Sequence, residues 1–248
     1  MIHVLRPFDP HRIRLLVFDL DGTLIDSRLD LIHSVNATMR HIGRPELPSD
    51  MIASYVGDGA PALIRRALGQ PDAIDSDAAG LDASAEASFR SALDYFLGYY
   101  RIHKLDHTTV YHGMTETLTR LSNPSNGTER VMAILTNKPV NPSRAIVSAL
   151  GLADFFVRVY GGNSFTTKKP DPLGVRTILE ETRVPAAEAL MIGDSAIDVL
   201  TGRNAGLYTC GVTYGFAPHT LEQVPPDVTV DEPVELAKFL GSKLQSSI

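Results

Sequence analysis

The chain has 248 residues, a formal net charge of −6, 44% hydrophobic and 21% charged residues, and one cysteine, Cys210. That apolar fraction can bury a substantial core, which excludes disorder and fibrous repeats, and a lone cysteine excludes an intrachain disulfide or a thiolate zinc cluster, as suits a reducing cytoplasm. Mild acidity without a basic stripe argues against a nucleic-acid partner, and no segment offers the roughly 20 apolar residues of a membrane span or the uncharged run of a signal peptide.

The first apolar run, Ile13 to Phe18, is short, aliphatic and stopped by Asp19-Leu20-Asp21-Gly22. It predicts a buried parallel-type strand that ends in a glycine turn. From about residue 28 to 105 the pattern changes: β-branched runs vanish and helical periodicity appears over Leu29 to His41, Ala60 to Leu68 and Ala85 to His103. Between them Asp72 to Ala87, rich in Ala, Asp and Ser, reads as a solvated connection, and Pro45, Pro48, Pro61 and Pro71 punctuate the insert. Beyond residue 130, strands are predicted at Val131 to Leu135, Val157 to Tyr160, Ala189 to Ile192, Thr209 to Thr213 and Val228 to Val230. Helices over Pro142 to Leu150, Pro172 to Glu181 and Ala196 to Ala205 alternate with them. The fold class is therefore α/β, a parallel sheet interrupted after its first strand by a helical module.

Four polar clusters each follow a predicted strand: Asp19-Leu20-Asp21-Gly22-Thr23, Thr136-Asn137-Lys138, Lys168-Lys169-Pro170 and Gly193-Asp194-Ser195-Ala196-Ile197-Asp198. In an open parallel sheet the carboxyl ends of the strands line one edge, so these distant residues would meet there. Asp19 and Asp21, two apart, would repel unless a cation or proton lay between them. Asp194 adds a third carboxylate, and hard oxygen donors suit Mg²⁺. Gly22 lets backbone N–H groups approach an anion, Lys169 could offset the excess negative charge, and Thr136 with the Asn137 N–H could bind phosphoryl oxygens. The set suits phosphoryl transfer to a carboxylate. Each cluster by itself is ordinary turn chemistry; their order and their common placement after strands argue for one site.

Val17-Phe18-Asp19-Leu20-Asp21-Gly22-Thr23-Leu24, Leu135-Thr136-Asn137-Lys138, Lys169-Pro170 and the segment from Gly193 to Asp198 resemble the four motifs of the haloacid dehalogenase superfamily, in its phosphatase branch. The resemblance implies a Rossmann-like core, over 1–27 and 106–248, and an inserted helical cap over 28–105. It implies Asp19 as the nucleophile that forms an aspartyl-phosphate and Asp21 as general acid and base. Thr136 and Lys169 would hold the phosphoryl group, with Leu20, Gly22 and Asn137 as further phosphate contacts. Mg²⁺ would be held by Asp19, the Asp21 carbonyl and Asp194, with Asp198 and Ser195 behind them, Asp198 orienting either the metal's water or Lys169. Lys168 competes for the lysine role, but the residue before Pro170 fits the motif.

The segment Val56 to Gly69, with Tyr111-His112-Gly113-Met114 and Gly161-Gly162-Asn163-Ser164, resembles bacterial phosphoglycolate phosphatases. It departs from them at His112, where proline is usual, and at Asn163, where aspartate is. The implied partner is a small phosphorylated metabolite, with monomer or homodimer as the assembly; a phosphosugar mutase or a phosphatase for pyrophosphate or sugar phosphates is the alternative. A second anion site for a substrate carboxylate could use His33, Arg65, Arg66 or the Gly57 and Gly59 amides. Arg65 and Arg66 read as solvated, and Gly57 and Gly59 could equally form a turn before the helix at Ala60. His103, His107 and His112 give no compelling ligand set. Tyr95, Phe96, Tyr99 and Tyr100 read as core between cap helices, and Cys210 as inert.

Overall fold

A computed structural model describes residues 1–71, 83–123 and 130–241. The chain divides into two compact units, one of Met1–Asp26 with Val110–Ile248 and the other of Ser27–Thr109.

The first unit is built on a seven-stranded sheet. Its strands are β1 (His3–Val4), β2 (Leu15–Phe18), β5 (Val131–Leu135), β6 (Arg158–Tyr160), β7 (Ala189–Gly193), β8 (Tyr208–Val212) and β9 (Val228–Val230), in the order β1-β9-β8-β7-β2-β5-β6. All neighbours are parallel except β1 and β9. The short β3 (Ile25–Asp26) and β4 (Thr109–Val110) form a separate two-stranded sheet. β2 lies centrally, with Phe18 in register with Ile134 of β5 and Ile192 of β7. Because β2, β5 and β7 end level, the turns after all three open at one edge, at the point where the strand order reverses. The central strands β2, β5, β7 and β8 are almost wholly buried, since helices cover both faces, whereas the edge strand β1 is exposed and β6 partly so; Leu15, Val17, Ala133, Met191, Val175 and Ile178 belong to one such packed layer.

The helices of this unit are α5 (Met114–Ser122), α6 (Val140–Ala149), α7 (Leu173–Thr182), α8 (Ala196–Ala205) and α9 (Pro233–Gly241). α6 begins two residues before the predicted Pro142, because a proline in the first turn lacks an N–H that the helix would leave unbonded anyway. α8 has the predicted bounds, set by a capping box between Ser195 and Asp198 and by Gly206 in the left-handed conformation. α5 and α9 escaped the sequence reading. In α5 the buried Met114, Thr117, Leu118 and Leu121 follow a helical spacing in which threonine fills one inward position.

The second unit holds α1 (Arg28–His41), α2 (Ser49–Ser54), α3 (Ala60–Ala67) and α4 (Ala83–His103). α4 packs along α1 and also meets α3, and α2 rests on α1. Of the predicted solvated connection, residues 72–82 lie outside the described residues, whereas residues 83–87 are the first turn and a half of α4. The tyrosine expectation also needs correction. Phe96 and Tyr100 are core, but Tyr95 and Tyr99 are half-buried and stack in a row with His41 and His103, because 95, 99 and 103 recur at i, i+4 on one stripe of α4. A buried carboxylate ties this unit together: Asp30 accepts from the Thr108 N–H at 2.9 Å, the Thr108 hydroxyl at 2.7 Å and the His107 N–H at 3.0 Å.

Candidate active site

The residues after β2, β5 and β7 converge at the carboxyl edge of the sheet. Asp19, whose N–H donates to the Ile192 carbonyl, continues β2 by one residue. Its Oδ1 lies 2.8 Å from Lys169 Nζ, and the same ammonium lies 2.6 Å from Asp198 Oδ1. Lys169 is buried, whereas Lys168 beside it is exposed. Asp194 follows β7, and its Oδ2 accepts from the Phe216 N–H at 2.6 Å and the Ala217 N–H at 3.2 Å. Asp198 Oδ2 accepts from the Ser195 hydroxyl at 2.7 Å, so Ser195 fixes the carboxylate that in turn holds Lys169.

Asp19, Asp194 and Asp198 are all buried, and each offers an oxygen within 4.8 Å of the others. Three carboxylates against one ammonium leave a net negative cluster away from water, and the titration of its members shows the cost. Burial, aided by the charges of Asp198 and Asp19, pushes the Asp194 carboxyl up to about 8, against the Phe216 and Ala217 N–H groups. Burial likewise raises Asp19 to about 6, with Lys169 opposing and Asp198 and Asp21 adding to the rise. For Lys169, burial acts to lower the ammonium's value, but Asp19 and Asp198 outweigh it and the net shift is upward. A buried all-oxygen set with surplus negative charge is the donor chemistry that a hard divalent cation takes, so the residues present fit Mg²⁺.

Glycine makes this proximity possible. Gly22 has φ of 79°, and a Cβ on it would sit 2.3 Å from Asp194 Oδ2; one on Gly193 would sit 2.1 Å from Asp198 Cγ. Leu20 is buried, and its carbonyl accepts from the Thr23, Leu24 and Ile25 N–H groups, closing the turn that carries Asp21. Thr136 is buried, its N–H bonded to the Tyr160 carbonyl and its Oγ1 accepting from the Lys138 N–H at 3.3 Å. Asn137 Nδ2 donates to the Lys169 carbonyl at 3.2 Å, linking the turn after β5 to the lysine turn.

Asp21 stands apart from the carboxylate trio. Both its oxygens meet Lys138 Nζ, at 3.0 and 2.9 Å. That lysine sits in the Thr-Asn-Lys motif, and the sequence signals it only as a third lysine that follows a strand at the same edge. Asn163, the departure from the expected aspartate, accepts from the Val140 N–H at 2.8 Å, a bond that a carboxylate oxygen would make equally well. Cys210 is buried, which pushes its thiol up to about 12 and makes it a poor nucleophile at neutral pH.

The helical unit holds the remaining candidates. Gly57 and Gly59 have φ of 130° and 87°, and Gly59 is the N-cap of α3. Arg65, expected to be solvated, is instead buried: it pairs with Glu86 at 3.0 Å and its guanidinium lies 3.7 Å from the Phe89 ring centroid. Arg66 bonds Asp58 and the Tyr55 carbonyl. His33 and His107 meet edge to face at 5.1 Å and, with Asp30, bring three possible ligand atoms within 4.8 Å, a grouping that sequence separation concealed. Asp30 already serves there as acceptor for the 107–108 turn. His103 pairs with Asp106, and His112 is exposed. Among the described residues, no helix is long and apolar enough to cross a membrane.

The family model described as haloacid dehalogenase-like hydrolase matches residues 16–212. A phosphoglycolate phosphatase of Vibrio parahaemolyticus is 37% identical over 230 residues, which is 92% of this chain and 96% of its own length. One of Vibrio cholerae is 36% identical over 89% of this chain and 93% of its own. Among solved structures, a protein of Haemophilus somnus 129PT described as a predicted phosphoglycolate phosphatase superposes with a TM-score of 0.80 at 27% identity, over 92% of this chain and 97% of that one.

Proposed function

The chain belongs to the haloacid dehalogenase-like hydrolases, and on that premise we propose that it is a Mg²⁺-dependent phosphomonoesterase that works through an aspartyl-phosphate on Asp19 and releases glycolate and phosphate from 2-phosphoglycolate. The observation that carries the chemistry is the buried Asp19 carboxylate 2.8 Å from Lys169, beside Asp194 and Asp198, at the edge where strand ends converge.

In this reading an Asp19 oxygen attacks phosphorus while the bond from phosphorus to the ester oxygen breaks. Asp21 gives its proton to that leaving oxygen. Asp21, now a carboxylate, takes a proton from water as the water oxygen bonds to phosphorus and the Asp19–phosphorus bond breaks. Phosphate leaves, and both aspartates return to their starting states. Lys169, the Thr136 hydroxyl and the Asn137 and Leu20 N–H groups hold the phosphoryl oxygens, whose charge grows in the transition state; the Gly22 N–H, expected among the phosphate contacts, donates instead to the Ile25 carbonyl at 2.9 Å and so shapes the turn. Asp19, Asp194 and the Asp21 main-chain carbonyl would hold Mg²⁺, with Asp198 and Ser195 behind them; when bound, the ion neutralises charge between the anionic nucleophile and the anionic phosphoryl group.

The substrate assignment rests on the relatives: phosphoglycolate phosphatases match this chain at 36–37% identity over nearly its whole length. We assign the helical unit, residues 27–109, the role of a cap that selects the substrate, with the Gly57 and Gly59 amides set aside for its carboxylate. The test is phosphate release with Mg²⁺ from 2-phosphoglycolate, p-nitrophenyl phosphate, pyrophosphate and hexose phosphates. A kcat/KM at least tenfold higher for 2-phosphoglycolate supports the assignment, and a preference for another ester, or isomerised sugar without phosphate release, replaces it. Full turnover by Asp19→Asn would remove Asp19 from the nucleophile's role.

A further inference from the structure

Among the described residues two lysines reach the carboxylates at this edge, and only Lys169 has a role in the proposed reaction. Lys138 has a side chain 5% exposed, and its ammonium meets both oxygens of Asp21, whose own side chain is 13% exposed. A buried ammonium is tolerated only where a counter-charge and hydrogen bonds replace water, and here Asp21 supplies both.

The backbone that carries Lys138 is fixed on both sides. Its N–H donates to Thr136 Oγ1, its carbonyl accepts from the Gly162 N–H at 2.9 Å, and a Cβ on Gly161 would lie 2.5 Å from that same carbonyl. The glycine pair after β6 therefore lets this turn lie directly against it, and the ammonium is delivered from a rigid frame. Asp21, by contrast, sits in a tight turn near a buried cluster of like charge, and its negative charge already acts on Asp19. Without a cation of its own, its carboxylate would be driven away from that cluster.

We propose that Lys138 is a positioning residue that holds the Asp21 carboxyl in place for proton transfer, separately from Lys169, which serves Asp19. The proposal rests on the reading of Asp21 as acid and base. The ammonium neither gives nor takes a proton in the cycle. When Asp21 carries a proton on one oxygen, the other still accepts from Lys138, so the contact serves both halves of the reaction: the proton passes to the leaving oxygen, and a proton returns from water.

The experiment compares leaving groups. The p-nitrophenolate anion departs without being protonated, whereas the alkoxide of 2-phosphoglycolate needs the proton from Asp21, and kcat/KM reports only the steps up to formation of the aspartyl-phosphate. Lys138→Met should lower kcat/KM for 2-phosphoglycolate by about 100-fold, and for p-nitrophenyl phosphate by no more than about fivefold, since a positioned acid contributes on the order of 10²–10⁴. Breakdown of the intermediate also needs Asp21, so the variant should show a burst of p-nitrophenol stoichiometric with enzyme, and Lys138→Arg should recover part of the loss. Equal losses on both substrates without a burst would mean that Lys138 only supports the fold, and would overturn the proposal. Asp21→Asn serves as the control. If it lacks the contrast, the acid–base reading of Asp21 fails; if it shows the contrast and Lys138→Met does not, the Lys138 inference fails alone. Lys138→Gln, which keeps a donor, supplies the same comparison should the methionine variant not fold.

Discussion

The cluster of Asp19, Asp194 and Asp198 predicts that the metal-free protein loses stability as pH rises, and that Mg²⁺ reverses the loss. Burial raises the folded-state value of Asp194 from an ordinary 3.8 to about 8. A carboxyl raised in this way stabilises the fold fully below its unfolded value and loses that contribution as pH climbs to its folded value. Between pH 5 and 7 the folded chain therefore holds more protons than the unfolded chain, so Asp194 makes stability fall as pH rises, by on the order of 1 kcal/mol per pH unit. For a chain of this length that is about 2–4 °C in Tm per pH unit. Asp194→Asn isolates the effect. It removes the titration while keeping a carbonyl oxygen for the Phe216 and Ala217 N–H groups, and histidines cancel in the comparison. In EDTA, urea denaturation should therefore show the variant gaining on the order of 2 kcal/mol on the wild type between pH 5 and 7. With Mg²⁺ the order inverts. The ion requires the ionised carboxylates, so its apparent affinity should drop as pH falls below about 8, and more steeply below about 6 where Asp19 also takes up a proton; at 100 times its Kd it should stabilise the wild type by about 2.7 kcal/mol while leaving the variant unmoved. Parallel wild-type and variant curves in EDTA from pH 5 to 7 would refute the electrostatic account of the cluster.

Substitutions at three further positions probe separate parts of the structure. Lys169→Met takes away the ammonium shared by Asp19 and Asp198, and kcat should fall by about 10²–10³; a steady-state value within threefold of wild type would deny Lys169 any role on the transferring group. Gly22→Ala puts a Cβ 2.3 Å from Asp194 Oδ2 at a φ of 79°, so the Mg²⁺ concentration giving half-maximal activity should rise at least tenfold, and an unchanged Mg²⁺ titration would show that Asp194 does not serve the metal. Asp30→Ala strands the two N–H groups and the hydroxyl of the 107–108 turn, at a cost of about 3–5 kcal/mol in denaturation. Asp30→Asn should recover more than half of this, because a carboxamide oxygen can still accept from Thr108, and a loss below about 1 kcal/mol in Asp30→Ala would mean that the turn holds without it.

What the sequence discloses about this site depends on how far each side chain reaches. Backbone periodicity is local: β2, β5 and β7 are buried on both faces and read as continuous apolar runs, and α8 announces itself by the Ser195–Asp198 capping box and Gly206. Short side chains at strand ends inherit that legibility, because register alone brings Asp19, Thr136 and Asp194 to one edge once β2, β5 and β7 are known to be neighbours. Long side chains do not. Lys138 extends from the turn after β5 to the turn after β2, 117 residues away in sequence, and Arg65 folds inward against Phe89 instead of outward into water, because four methylenes or a guanidinium arm can take either direction from the same backbone. Asp30 is concealed for the complementary reason: its partners are mostly main-chain N–H groups, which carry no residue identity. The same distinction orders the chemistry. The proposed nucleophile and metal-binding carboxylates stand on strand ends, where one motif can specify them, whereas the placement of the proposed acid–base group rests on a contact between two turns, so in this reading Asp21 would keep its identity and lose its position when Lys138 changes.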